Sequence, residues 1–147
     1  MRRFAKVVTI AAAALVCGLA VASADTDVIK QRKALMDANG DTTKKIVAML
    51  KGAPFDLATV QAGLKAFATT AAEAPALFPD TSKTGEKTGA LPAIWENKAD
   101  FDARFVQFGK DVAAAQTAIV DAATFKQVMP GVLKNCGGCH EHYRAKD

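Results

Sequence analysis

An all-α fold, an antiparallel four-helix bundle, is predicted by three features of this 147-residue chain. Apolar residues recur at steps of three and four in four separate stretches, the period of a helix with one buried face. No segment shows the strict alternation of a strand. The links between stretches are short with one exception, and short links make sequential helices antiparallel neighbours.

The chain opens on an address rather than on the fold. Arg2, Arg3 and Lys6 precede an apolar run from Val7 to Val21, and Ala22-Ser23-Ala24 is a small-residue cleavage signal before Asp25. Residues 1–24 are therefore read as a secretory signal peptide and 25–147 as one domain. The apolar run is about 15 residues against the roughly 20 needed to span a bilayer, so no membrane anchor is expected. Cys17 follows Val16, which is larger than the residue a lipoprotein site needs, and leaves with the leader.

The first stripe of the domain is Ile29, Arg32, Met36, Asn39, Thr43, Ile46 and Leu50, which keeps helical spacing but carries three polar residues. An inward-facing Arg there requires a partner. The second stripe, Leu57, Val60, Leu64, Phe67 and Ala71, follows Gly52-Ala53-Pro54 with Asp56 as the expected N-cap. A long connection from Pro75 to Pro92 contains Pro79, Gly85 and Gly89. The third stripe, Phe101, Phe105, Phe108, Val112, Ala115 and Ile119, alternates steps of four and three. The fourth is Phe125, Met129, Val132, Cys136, Cys139 and Tyr143, with Pro130 expected to remove one hydrogen bond and bend the helix.

The fourth stripe carries the chemistry. Cys136-Gly137-Gly138-Cys139-His140 is a C-x-x-C-H run close to the C-terminus. Two thiols three positions apart on a helix can add to the two vinyl groups of a haem, and the imidazole of the next residue then faces the iron. Structural zinc is a competing reading, but it would need Cys136, Cys139, His140 and His142, and adjacent Cys139 and His140 converge poorly on one tetrahedral ion. A thioredoxin-type dithiol needs a preceding strand and a helix N-terminus, whereas this motif lies late in a helical pattern. One covalently attached haem c is the expected cofactor. A haem propionate would then suit the fork of Arg32, and the Pro75–Pro92 connection reads as a mobile or haem-edge loop.

Charge excludes some partners. Nineteen Lys and Arg less the three in the leader leave 16 against 15 Asp and Glu, a balance near neutrality that does not indicate nucleic acid. Both remaining cysteines belong to the motif, so no disulfide framework is available. Export agrees with the motif, because a periplasmic location is where a bacterial-type cell attaches haem to C-x-x-C-H.

The residues also carry a family resemblance. The C-terminal C-x-x-C-H followed by Tyr143-Arg144, the Ile29-Lys30-Gln31-Arg32 segment, the Gly52-Ala53-Pro54-Phe55-Asp56 link and the Pro92-Ala93-Ile94-Trp95 segment occur in an order and spacing that resembles class II cytochromes c, the cytochrome c-prime family. The likeness extends over nearly all of residues 25–147. It implies an antiparallel four-helix bundle with one haem c, Cys136 and Cys139 as thioether attachments and His140 as proximal ligand. It also implies that Arg32 meets a propionate and that Arg144 sits beside the proximal histidine.

Met36 decides between subgroups. In gas-binding relatives an apolar residue closes the distal face at this position, whereas a subgroup that this chain resembles has Met there, with its sulfur on iron. Core filling is the bland reading of a Met. However, Arg32 and Met36 are i and i+4, so an Arg at the haem edge would place Met36 one turn along, over the macrocycle. Met49 lies about 20 Å further along that helix and Met129 is on the helix that supplies His140, while His142 points away from the iron bound by His140. The expected function is one-electron transfer by a His/Met-ligated low-spin haem, with redox proteins as partners. The alternative is a five-coordinate protein that binds NO or CO. No catalytic constellation is visible, so an enzyme is not expected. A homodimer through the first two helices is compatible with the class, although Lys44, Lys45, Lys51 and Lys65 make the outer faces look solvated.

Overall fold

The computed structural model describes the backbone of residues 17–146 and the side chains of residues 26–146. Most of the expected leader lies outside the described residues. Four long helices form the bundle: α1 (Cys17–Leu50), α2 (Leu57–Glu73), α4 (Lys98–Ala118) and α5 (Ala122–Tyr143), with a single-turn α3 (Ala93–Glu96) before α4. No strand occurs among the described residues, only an isolated bridge between Ala90 and Arg144.

Each link has a local cause. Helix α1 ends in a Schellman arrangement: Gly52 takes φ 111°, its N–H donates to Met49 O, and Ala53 N–H donates to Ala48 O. That left-handed conformation is open to Gly at little cost. Asp56 caps α2, its carboxylate accepting from Ala58 N and Thr59 N as its position implied. Asp121 and Thr124 form a reciprocal capping box that starts α5 only a few residues after α4 ends. Helix α5 runs continuously through Pro130, which is exposed.

The stripes are the buried faces. Phe101, Phe105, Phe108, Val112, Ala115 and Ile119 are all buried, as are Val60, Leu64 and Phe67 of the second stripe and Phe125, Met129 and Val132 of the fourth. Leu57, in the first turn of α2, is exposed at 37 %, and Ala71, Cys136 and Cys139 are half-buried. On α1 Met49 is buried more fully than Leu50. Sequential long helices pack on each other, α1 on α2, α2 on α4 and α4 on α5. Helices α1 and α2 approach closely at Gly63, where a Cβ would meet Thr42 Cγ2 at 2.9 Å and Ile46 Cδ1 at 3.1 Å.

The core has two parts. One, at the end holding the short links, is built on Ile46, Val60, Leu64, Phe67, Val112, Phe125 and Met129. The other is an aromatic cluster of Phe78, Phe101, Phe105 and Tyr143 with Ile94 and Ala74, where Phe101 meets Phe78 at 4.8 Å and Tyr143 at 5.2 Å in edge-on contacts. This second cluster lies beneath the long connection, which makes two 3₁₀ turns at Ala74–Leu77 and Asp80–Ser82. The expected mobile or haem-edge loop is anchored instead. Trp95 Nε1 donates to Phe78 O and Pro79 O, Leu91 N–H to Tyr143 O, and Ala145 N–H to Gly89 O. No residue from 75 to 92 lines the main cavity.

Candidate haem-binding site

A cavity of about 630 Å³ opens between the two core parts, within the range of small-molecule and cofactor sites. Helix α1 supplies one wall with Met36, Asn39, Gly40 and Thr43; α5 supplies the facing wall with Asn135, Cys136, Cys139 and His140. Phe105 and Phe108 of α4 close the apolar side. The same packing that buries Phe125, Met129 and Val132 turns the motif of α5 toward this space, because positions 136, 139 and 140 continue that stripe. Tyr143, buried in the aromatic cluster, holds the end of the helix in register.

The motif is chemically suited to a haem. Cys136 and Cys139 are free, half-buried thiols in the wall of this cavity, and burial pushes both of them up. His140 is also half-buried, and desolvation, then the nearby positive charge of Arg144, pulls its imidazole below the ordinary value. A neutral imidazole presents the lone pair that iron needs. Among the described residues no group of three or more His, Cys, Asp or Glu side chains is arranged to hold a metal ion. The fit is to a group held by two thioethers and one imidazole.

Met36 lines the same cavity as His140, from the opposite helix. One turn further along α1, Asn39 Oδ1 accepts from Thr70 Oγ1 at 3.2 Å, and both of those residues also line the cavity. Arg144 does so as well; its backbone N–H donates to His140 O, and its charge acts on His140. His142 is exposed.

Arg32 departs from its expected place. It is 3 % exposed, does not line the cavity, and directs its guanidinium into the long connection. Nη1 donates to Leu77 O at 3.0 Å and Ser82 Oγ at 2.8 Å, and Nη2 to Ser82 O and Thr88 Oγ1, each at 2.9 Å. The guanidinium also lies over the Phe78 ring at 4.5 Å. A buried Arg did need a partner; here backbone carbonyls and hydroxyls 45 to 56 residues away take the role assigned to a propionate.

Several cavity residues escaped the sequence reading, among them Asp37, Asp41, Thr70, Asn135 and Arg104; Arg104 is the basic one. Arg104 of α4 lines the cavity beside Cys139 and His140, its Nε donating to Asp100 Oδ2 at 2.7 Å and Nη1 to Gly138 O at 3.0 Å. Its guanidinium lies 5.4 Å from the centre of the Tyr143 ring. The available signal was a basic residue next to the apolar stripe, four positions after an Asp.

The family model described as Cytochrome C' matches residues 27–144. The chain belongs to the cytochrome c' family. It is 51 % identical over 133 residues to a cytochrome c' of Rhodopseudomonas palustris, covering 90 % of this chain and 91 % of that protein. It is 38 % identical over 143 residues to a cytochrome c-556 of the same organism, covering 94 % and 96 %. The solved structure of R. palustris cytochrome c' superposes with a TM-score of 0.80 at 52 % identity, over 82 % of this chain and 98 % of that one. As a class II cytochrome with a single C-x-x-C-H motif, the protein is a monohaem cytochrome with covalently attached haem c. No helix among the described residues is long and apolar enough to cross a membrane.

Proposed function

We propose that this cytochrome is a periplasmic one-electron carrier in which His140 and Met36 would ligate the haem iron and Cys136 and Cys139 would attach the macrocycle to α5. The observation that carries this reading is the placement of Met36 and His140 on facing walls of one cavity. Haem c supplies the one-electron couple when bound. A thioether from Met36 would exclude water and gases from the iron and would favour the reduced state relative to a site without it. Phe105 and Phe108 keep the cavity wall apolar, which limits the solvent reorganisation that accompanies a change of charge. Arg144 lines the cavity with His140 and would sit beside the proximal side of the haem.

The gas-binding reading is supported by the 51 % identity to a protein named cytochrome c'. It requires Met36 to be a packing residue, and the relative named cytochrome c-556, matched along nearly the whole chain, supports the other role for the class. Replacement of Met36 by Ala separates them. On the carrier reading the low-spin spectrum becomes high-spin, the reduction potential falls, and the ferrous protein gains CO binding. If wild type already binds CO as readily as the variant, Met36 is no ligand.

The remaining features of the proposal are export, with cleavage before Asp25, and exchange of electrons with redox proteins rather than turnover of a substrate. Mass analysis of periplasmic material should return residues 25–147 plus one haem; haem released by acid-acetone would contradict covalent attachment. Association through α1 and α2 is part of the proposal, and sedimentation at several protein concentrations tests it.

A further inference from the structure

Two charged groups and a tyrosine hydroxyl meet at the motif end of α5, and neither the attachment nor the ligation uses them. Arg104 is partly buried, its side chain 34 % exposed, and it lines the cavity with Cys139 and His140. Asp100, its ion-pair partner one turn earlier on α4, is 55 % exposed and does not line the cavity. The pair is thus oriented, carboxylate toward solvent and guanidinium toward the haem site. Tyr143 fixes that orientation from α5: its hydroxyl donates to Asp100 Oδ2 at 2.5 Å while its ring lies beneath the guanidinium. The bond from Arg104 to Gly138 O ties the charge to the backbone between the two attachment cysteines.

The other charges of the cavity do not reproduce this arrangement. Asp37, Asp41 and Lys44 come from the opposite wall, where Asp41 and Lys44 pair with each other at 2.9 Å on the surface. Arg144 is an exposed residue at the helix end. Arg32 faces the long connection.

We infer that Arg104 is a positioning residue for the redox reaction, a fixed cation that stabilises the reduced, less positive state of the haem and so raises its reduction potential. The physical ground is that a charge held in a partly desolvated site acts through a lower dielectric than a mobile surface lysine does. Asp100 and Tyr143 serve to aim it. The inference rests on the haem c assignment and not on the identity of the sixth ligand, since a fixed cation acts on the iron in either coordination state.

The test uses holoprotein carrying Arg104→Gln, Arg104→Lys or Asp100→Asn, with midpoint potentials measured at low and high salt. Optical spectra verify that each variant keeps the wild-type spin state, so a change of ligation is seen separately. Arg104→Gln should have a lower potential than wild type, Arg104→Lys should recover most of the loss, and Asp100→Asn should have a higher potential because the counter-charge is gone. An unchanged potential in Arg104→Gln would overturn the inference, as would a Lys variant that falls as far as the Gln variant, which would assign the effect to the bond with Gly138. If Arg104→Gln fails to retain haem, Asp100→Asn decides alone: a potential equal to or below wild type overturns it.

Discussion

Arg32→Ala should be among the more damaging single substitutions in this protein, and the structure indicates how damaging. Four charge-assisted bonds are lost, but two of the acceptors keep another partner: Ser82 Oγ still donates to Pro79 O, and Thr88 Oγ1 still accepts from Ala90 N. The carbonyls of Leu77 and Ser82 are the groups left bare, and each buried acceptor without a partner costs about 1–3 kcal/mol. Loss of the contact with Phe78 adds roughly 0.5–1 kcal/mol, so the total is about 2.5–7 kcal/mol before water enters the gap. Against a domain stability on the order of 5–15 kcal/mol, that is a large fraction. Urea denaturation of the holoprotein followed by far-UV circular dichroism measures it. Limited trypsinolysis adds a local readout, because Lys83 and Lys87 are exposed on the freed connection and should be cut much faster. A stability loss under about 1 kcal/mol, with unchanged proteolysis, would refute the assignment of Arg32 as the clamp of this loop.

Other substitutions test the packing and the caps. Phe67→Ala, at a fully buried position between α2 and α4, should cost about 3–5 kcal/mol by denaturant titration. Gly131→Ala has open space around its Cβ and should stabilise by about 0.5–1 kcal/mol, whereas Gly63→Ala must displace Thr42 and press on the buried Ile46 and should destabilise despite the same propensity gain. Stability should fall with acid: Asp56, held down by the Thr59 hydroxyl, Asp100, by the Tyr143 hydroxyl and then Arg104, and Asp121, by the Thr124 N–H, all sit below the ordinary carboxylate value. A depressed folded value means that this contribution is complete above the unfolded pKa of about 3.9 and is lost as pH falls through the folded values. Denaturation midpoints across that range check the sign, and Asp121→Asn should flatten the slope.

The long helices were legible because burial imposes a period on sequence. Phe101 to Ile119 could be assigned to one face by counting, and Asp56 could be placed as a cap because an Asp after a Gly-Pro link has few better uses. The motif was legible for a different reason: thioether attachment needs two cysteines and a histidine at fixed local spacing, so residues 136–140 carry their chemistry within one helical turn. Arg32 shows where this ends. Its inward position followed from spacing on α1, but its partners lie in a connection without periodicity, and a haem carboxylate was chemically as good a match as the carbonyls of Leu77 and Ser82. Arg104 was hidden for the same reason, since its contact with Gly138 spans 34 residues and exists only once α4 and α5 pack. Long-range polar contacts leave no local pattern.

The central claim is that Met36 completes a six-coordinate haem. The most direct measurement is the optical spectrum of wild-type holoprotein, ferric and ferrous, before and after addition of CO. The account predicts a low-spin ferrous spectrum with a sharp α band that CO leaves nearly unchanged. A broad high-spin spectrum that shifts at once on CO addition would contradict it and make Met36 part of the wall rather than a ligand.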